Sequence, residues 1–298
     1  MMNPVHLNLP KDCRRINTQP THQVYSSQML SAVYRVAESN DSNYSMSVRG
    51  GHYKASLLAD LGLNVLAPLH REIETVGGFD ISSFPLARPV EQLILVDSDW
   101  IELGRELSGW GRYRPKDLEV LDIPRYATER TLWAIGSRDQ SLVEAGQLCQ
   151  DLIKRAERSY PYSELMEDAG IVHGDPHIGN MVKLKPLGRI LFIDTDYVKV
   201  GPRLFDLAVS HLYQRRFNPS YPVGLIKSGY PAADIDEFAL AAAACWKEVS
   251  SFTQLLTLWC RPGVRDEFFR RGRLGWEDQW TMVTGTPVDH PSFHGSSV

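Results

Sequence analysis

The sequence predicts an α+β protein of two lobes, a small β-rich N-terminal lobe followed by a larger helical one. Three observations carry that expectation. Between His22 and Arg88, short apolar-alternating segments are separated by turn clusters, with one helical stretch among them. After Pro89, apolar residues recur at helical spacing through most of the chain. One segment, 171–208, interrupts those helices with a loop, an apolar run and four aspartates.

Residues 1–22 are polar and rich in turn formers and read as an extended leader. The N-terminal lobe is placed at 23–88. In it AVYRVAES (32–39) alternates like a strand and runs into the turn signal NDSN (40–43). YSMSVRG (44–50) is expected to be the partner strand, and HYKASLLADLGLNV (52–65) a helix with Gly62 at its C-terminal end. APLHREIETVGG and FDISSFPLARP predict two more strands around Gly77-Gly78. The C-terminal lobe is placed at 89–282. Its helices are expected over DSDWIELGRELSGWG (97–111), with an Asp cap, and over the amphipathic 139–160. After the acidic segment, 205–217, 234–259 and 263–280 complete the set, and 283–298 is a Pro, Gly and Ser-rich tail. That order is the layout of two lobes sharing a cleft.

Composition narrows the function classes. The 298 residues are 43% apolar and 23% charged, with a net charge of −4, so no basic face for nucleic acid is expected. No run of about 18 apolar residues predicts a membrane span. The first residues, MMNPVHLNLPKDCRR, carry no basic start followed by an apolar core, and a cytoplasmic location is expected. Cys13, Cys149, Cys245 and Cys260 are widely spaced without a Cys-x-x-Cys pair, which fits thiols in a reducing compartment.

The acidic segment carries the chemistry. Gly174 permits a tight backbone path, so that Asp175 projects from a loop, able to accept or orient a substrate proton. Asn180 offers a neutral oxygen ligand suited to Mg²⁺, and the apolar run Ile190–Ile193 delivers Asp194 at its end. A loop Asp, an Asn and a strand-end Asp, in that order, suit a cation bridging phosphate oxygens. His173, Asp175 and His177, with His211, also admit a metal-cluster reading.

VHGDPHIGN followed by LFIDTDYVKVGPRLFDLA resembles the aminoglycoside phosphotransferase and choline kinase group of the phosphotransferase enzyme family, which has a protein-kinase-like fold. The resemblance covers this segment closely and the lobe order loosely. It implies transfer of a nucleotide γ-phosphate, from ATP or GTP, to a hydroxyl of a metabolite or antibiotic of aminoglycoside-like kind. It makes Asp175 the catalytic base or substrate-orienting acid, Asn180 and Asp194 the Mg²⁺ ligands, and His173 and Asp206 braces of the loop. Glu248 and Asp234 are the acids expected against the acceptor, and Asp196, without a fixed role in the family pattern, is expected to reach either the metal or the substrate. AVYRV resembles the family strand after the phosphate-covering loop.

The N-terminal lobe departs from the family pattern. VYSSQMLSAVYRV contains no glycine, and Ser27 and Ser31, with Ser26, are the expected substitutes for loop backbone contacts. No lysine stands in the expected strand, which offers Arg49, or Ser47 in a shifted register. SSFPLARP resembles the hinge strand, with Ser83 and Pro85 beside the base. The partners implied are a nucleotide and a small acceptor, the protein being a monomer or homodimer. The short stretch between Asp194 and Asp206 argues against a protein kinase. The alternative is a kinase-like module that binds ligand without turnover.

Overall fold

The computed structural model describes residues 9–18, 23–40, 42–90, 93–185 and 188–273. The expected tail at 283–298, most of the leader and the continuation of the last helix to 280 lie outside the described residues. The chain divides into two compact units, residues 1–99 with 175–198, and residues 100–174 with 199–298.

The first unit is built on an antiparallel five-stranded sheet of order β1-β2-β3-β5-β4. Its strands are β1 (Arg14–Thr18), β2 (Gln23–Ser27), β3 (Ala32–Glu38), β4 (Glu74–Val76) and β5 (Phe79–Pro85). Tyr25, Val36 and Ile81 form the core of the sheet. The β4–β5 hairpin turns on Gly77 and Gly78, whose φ angles of 58° and 83° suit the mirror-image turn that a twisted two-residue hairpin requires. Helix α1 (Ser42–Asp60) follows β3.

Here the structure corrects the sequence reading. The expected strand at 44–50 is the opening of α1, and Arg49 therefore sits on a helix. The tertiary partners explain why. Ser47, Gly51 and Lys54, at i, i+4 and i+7, share one helical face and all bond to Thr195 or Asp196. Arg49 and His52, one turn apart, bond to Asp80 and Ser82 of β5. A helix satisfies both sets, whereas a strand would send alternate residues to opposite faces.

A second sheet in this unit joins β6 (Arg88–Pro89), β8 (Met181–Lys183) and β9 (Leu191–Phe192). Phe192 is fully buried, donates its N–H to Asn64 and accepts from Leu66 at 2.9 Å each. The end of β9, and the acid that follows it, is thus anchored on both sides.

The second unit is largely helical, with a two-stranded ladder of β7 (Ala169–Val172) and β10 (Lys199–Pro202). Its helices are α2 (Asp97–Trp110, from Trp100 onward), α3 (Ile123–Ile135), α4 (Gln140–Ser159), α5 (Tyr162–Leu165), α6 (Phe205–Arg216), α7 (Val223–Gly229), α8 (Glu237–Thr257) and α9 (Val264–Arg273). Asp122, Asp139 and Asp236 cap α3, α4 and α8 by accepting backbone N–H bonds of the first turn. Ala134, Leu142, Cys149, Phe252, Leu256, Trp259 and Phe268 form a helix-packing core. Among the described residues no helix is long and apolar enough to cross a membrane.

Candidate functional site

The loop before the site is braced in the second unit. His173 and Gly174 donate their backbone N–H groups to the two oxygens of Asp206, at 2.7 and 2.9 Å. Asp206 is 1% exposed, so these bonds supply what water no longer can. Gly174 has a φ of 85°, which favours glycine, and its carbonyl accepts from Lys247 at 2.8 Å. The His173 ring is fully buried against Trp110, 5.9 Å between centroids.

The residues expected to carry the chemistry, Asp175, Asn180 and Asp194, lie in the first unit. The carbonyl of Asp175 accepts the Asn180 side-chain amide and the His177 N–H, at 2.9 Å each. With its nitrogen so used, the Asn180 amide keeps its oxygen as the ligand-capable end. The Asp175 carboxylate remains 38% exposed, with His177 Nε2 at 3.6 Å. Asn180 is held to the strand end, since its carbonyl accepts from Ile193 N–H at 2.9 Å. Asp194 follows at once with a φ of 59°, a left-handed conformation uncommon outside glycine. Its carboxylate caps nothing.

Burial lifts the pKa of Asp194 above the ordinary aspartate value. Asp196 and Asp175 push the same way, and Arg35 and His177 oppose them. Asp175 and Asp194 are therefore close enough to sense one another. A divalent cation would relieve what the protein leaves unrelieved, and oxygen donors fit Mg²⁺. Among the described residues no group of three His, Cys, Asp or Glu side chains forms a metal cage, so the histidine-cluster reading finds no support. An Asn–Asp pair completed by phosphate oxygens needs no such group.

The residues expected at the nucleotide are placed differently. Arg49 sends Nε and Nη2 to the buried carboxylate of Asp80, at 2.7 and 2.6 Å. Thr75 and Ser39 also donate to Asp80. Ser27 is fully buried and donates to Asp12 at 2.8 Å, which turns a negative charge toward it. Ser31 lies in the β2–β3 turn with a φ of 47° and accepts from Leu86 N–H through its carbonyl. Ser83 and Pro85 lie in the second half of β5.

Sequence reasoning passed over Arg35. It stands on β3 and binds Asp196 with both terminal nitrogens, at 2.9–3.1 Å. A lone cation inside the apolar alternation AVYRV was the available signal. Asp196, expected to reach the metal or the substrate, accepts from Arg35 and Ser47. In the second unit, Glu248 is 4% exposed and ion-paired with Arg216. Asp234 pairs with Arg203 and lines a cavity of about 230 Å³ with Glu164, Asp236, Tyr160 and Phe238.

Comparison with known proteins follows the same lines. The model of the phosphotransferase enzyme family matches residues 24–241. Among solved structures, a microcompartment-associated aminopropanol kinase aligns with a TM-score of 0.64 at 15% identity, covering 95% of this chain and 96% of that one. A spectinomycin phosphotransferase in complex with ADP and spectinomycin aligns at 0.62 and 16% identity, over 91% and 92%. A choline kinase from Streptococcus pneumoniae aligns at 0.59 and 14% identity, over 88% and 92%. No curated protein sequence matches the chain. These likenesses establish the kinase-like α+β fold.

Proposed function

We propose a function from one premise: the chain belongs to the phosphotransferase enzyme family. It moves the γ-phosphate of a nucleotide, in our reading ATP, to a hydroxyl of a small metabolite or antibiotic. The observation that carries this is the grouping of Asp175, Asn180 and Asp194 in one compact unit, with ionisation of Asp194 opposed by burial.

In this reading Asp175 accepts the acceptor hydroxyl's proton or orients that hydroxyl, which its partly exposed carboxylate allows. Asn180 and Asp194 would hold Mg²⁺, which when bound neutralises charge on the transferring phosphoryl group. His173 and Asp206 fix the path of the chain into Asp175. Arg35 takes the phosphate-contacting role first expected of Arg49, because, though paired with Asp196, it lies within electrostatic reach of Asp194. Asp234 is left to its ion pair with Arg203. Glu248 is left to its buried pair with Arg216.

A second reading, a module that binds nucleotide without turnover, is favoured by Ser27 being tied to Asp12. One assay separates the two. Full-length protein with Mg²⁺ and ATP or GTP is offered a panel of hydroxylated amines, and phosphorylated product is measured by mass. Product from any panel member supports transfer. Nucleotide binding with no product from any member, and no slow hydrolysis, favours the module.

A further inference from the structure

We propose that Asp196 is a positioning residue that aims the β3 cation Arg35 and holds the Asp194 loop on α1, with Gly51 shaped to admit it. The proposal rests on the nucleotide reading above.

The junction is dense. Arg35 Nη1 and Nη2 reach Asp196 Oδ1 at 3.1 Å each, and Nη2 reaches Oδ2 at 2.9 Å. Ser47 Oγ donates to Oδ2 at 2.7 Å, and Lys54 Nζ donates to the Asp196 carbonyl at 2.7 Å. Thr195 Oγ1 donates to the Gly51 carbonyl at 2.8 Å. Arg35 and Asp196 are only 12% and 22% exposed. Strand, helix and acidic loop are thus joined through one carboxylate.

Gly51 makes the junction possible. A Cβ on that residue would stand 2.3 Å from Asp196 Oδ1 and 2.8 Å from Arg35 Nη1. No side chain fits there while the ion pair keeps its geometry. Helix α1 therefore carries a residue with a helix-weakening cost of about 1 kcal/mol at this point. A largely buried ion pair adds little stability over apolar packing of the same shape. Both features are poor choices for a mere staple and suitable ones for setting the direction of a guanidinium. A bidentate grip on one edge holds its plane. Because Asp196 lies two residues past Asp194, the same grip constrains the left-handed backbone that presents the cation ligand.

The test uses full-length protein, ADP with Mg²⁺ as probe, calorimetric affinity and thermal melting. Asp196→Asn removes the charge. Gly51→Ala displaces the pair without removing any charge. Each is expected to weaken ADP by about tenfold or more. The double exchange Arg35→Asp with Asp196→Arg re-forms a pair of reversed polarity and should recover melting temperature without recovering ADP affinity. Asp196→Asn and Gly51→Ala both binding ADP within about twofold of wild type would overturn the proposal. So would an exchange that restores affinity together with stability, since the pair would then be a staple. If wild type binds no ADP, the nucleotide reading falls and takes this proposal with it. If wild type binds and the variants are indifferent, this proposal alone fails.

Discussion

Asp206 in the second unit and Asp194 in the first are both drawn out of solvent, and the protein treats them in opposite ways. Asp206 receives two backbone N–H groups and organises the turn at His173-Gly174. Asp194 caps nothing, stands in a left-handed conformation and has its ionisation opposed by burial and by two neighbouring acids. Asp80, buried under Arg49, Thr75 and Ser39, follows the Asp206 pattern inside the first unit. A buried acid met by several donors is scaffold. One held against its own charge is, in the reading proposed above, the acid suited to a cation.

Four experiments break or sharpen that contrast, beginning with the largest effect. Asp175→Ala should reduce phosphoryl transfer at least about a hundredfold while melting is little changed, because a partly exposed loop acid contributes chemistry more than packing. Turnover retained within about tenfold, a barrier change of only ~1.4 kcal/mol, would remove Asp175 from its role.

Next, the buried Asp206 and the half-buried Asp194 should respond oppositely to amide substitution in metal-free protein. Asp206→Asn leaves one buried N–H without its charged acceptor and should destabilise by roughly 2–3 kcal/mol. Asp194→Asn removes an unfavourable charge and suits a left-handed φ, so its melting temperature should equal or exceed that of wild type. Equal losses in the two variants, measured by denaturant titration, would erase the distinction.

With Mg²⁺ and nucleotide present, wild type should gain about 2.7 kcal/mol at a ligand concentration a hundred times Kd. The Asp194→Asn protein should lose most of the part that depends on metal. A variant that keeps the whole metal-dependent gain would show that the cation is held elsewhere.

The smallest effect is expected in α9. Hydrogen bonds from Arg270 hold the Glu267 carboxyl down at about 2, with Arg271 assisting. A depressed acid stabilises the fold above its unfolded value near 4.5, and that contribution disappears as pH falls from there towards 2. Solvent screening limits it to about 1 kcal/mol. Glu267→Gln should flatten that part of the acid limb of a stability-versus-pH curve. An unchanged limb would mean that the pair contributes nothing.

The sequence by itself determined the α+β class, the order of a β-rich region before a helical one, and the segment from His173 to Asp206 that carries the family resemblance. These were legible because they rest on local signals. Hydrophobic period distinguishes most strands from helices, Gly77-Gly78 declares its hairpin, and His-Gly-Asp, Asn and strand-end Asp keep a characteristic order. Only the tertiary structure decided that 44–50 is helix, that Arg49 belongs to Asp80 and Glu248 to Arg216, and that Arg35 is the cation beside the acidic loop. Each of those outcomes depends on which charge meets which across a long stretch of chain. A charged side chain withdrawn from water takes the nearest adequate partner, and sequence spacing does not record who that partner is.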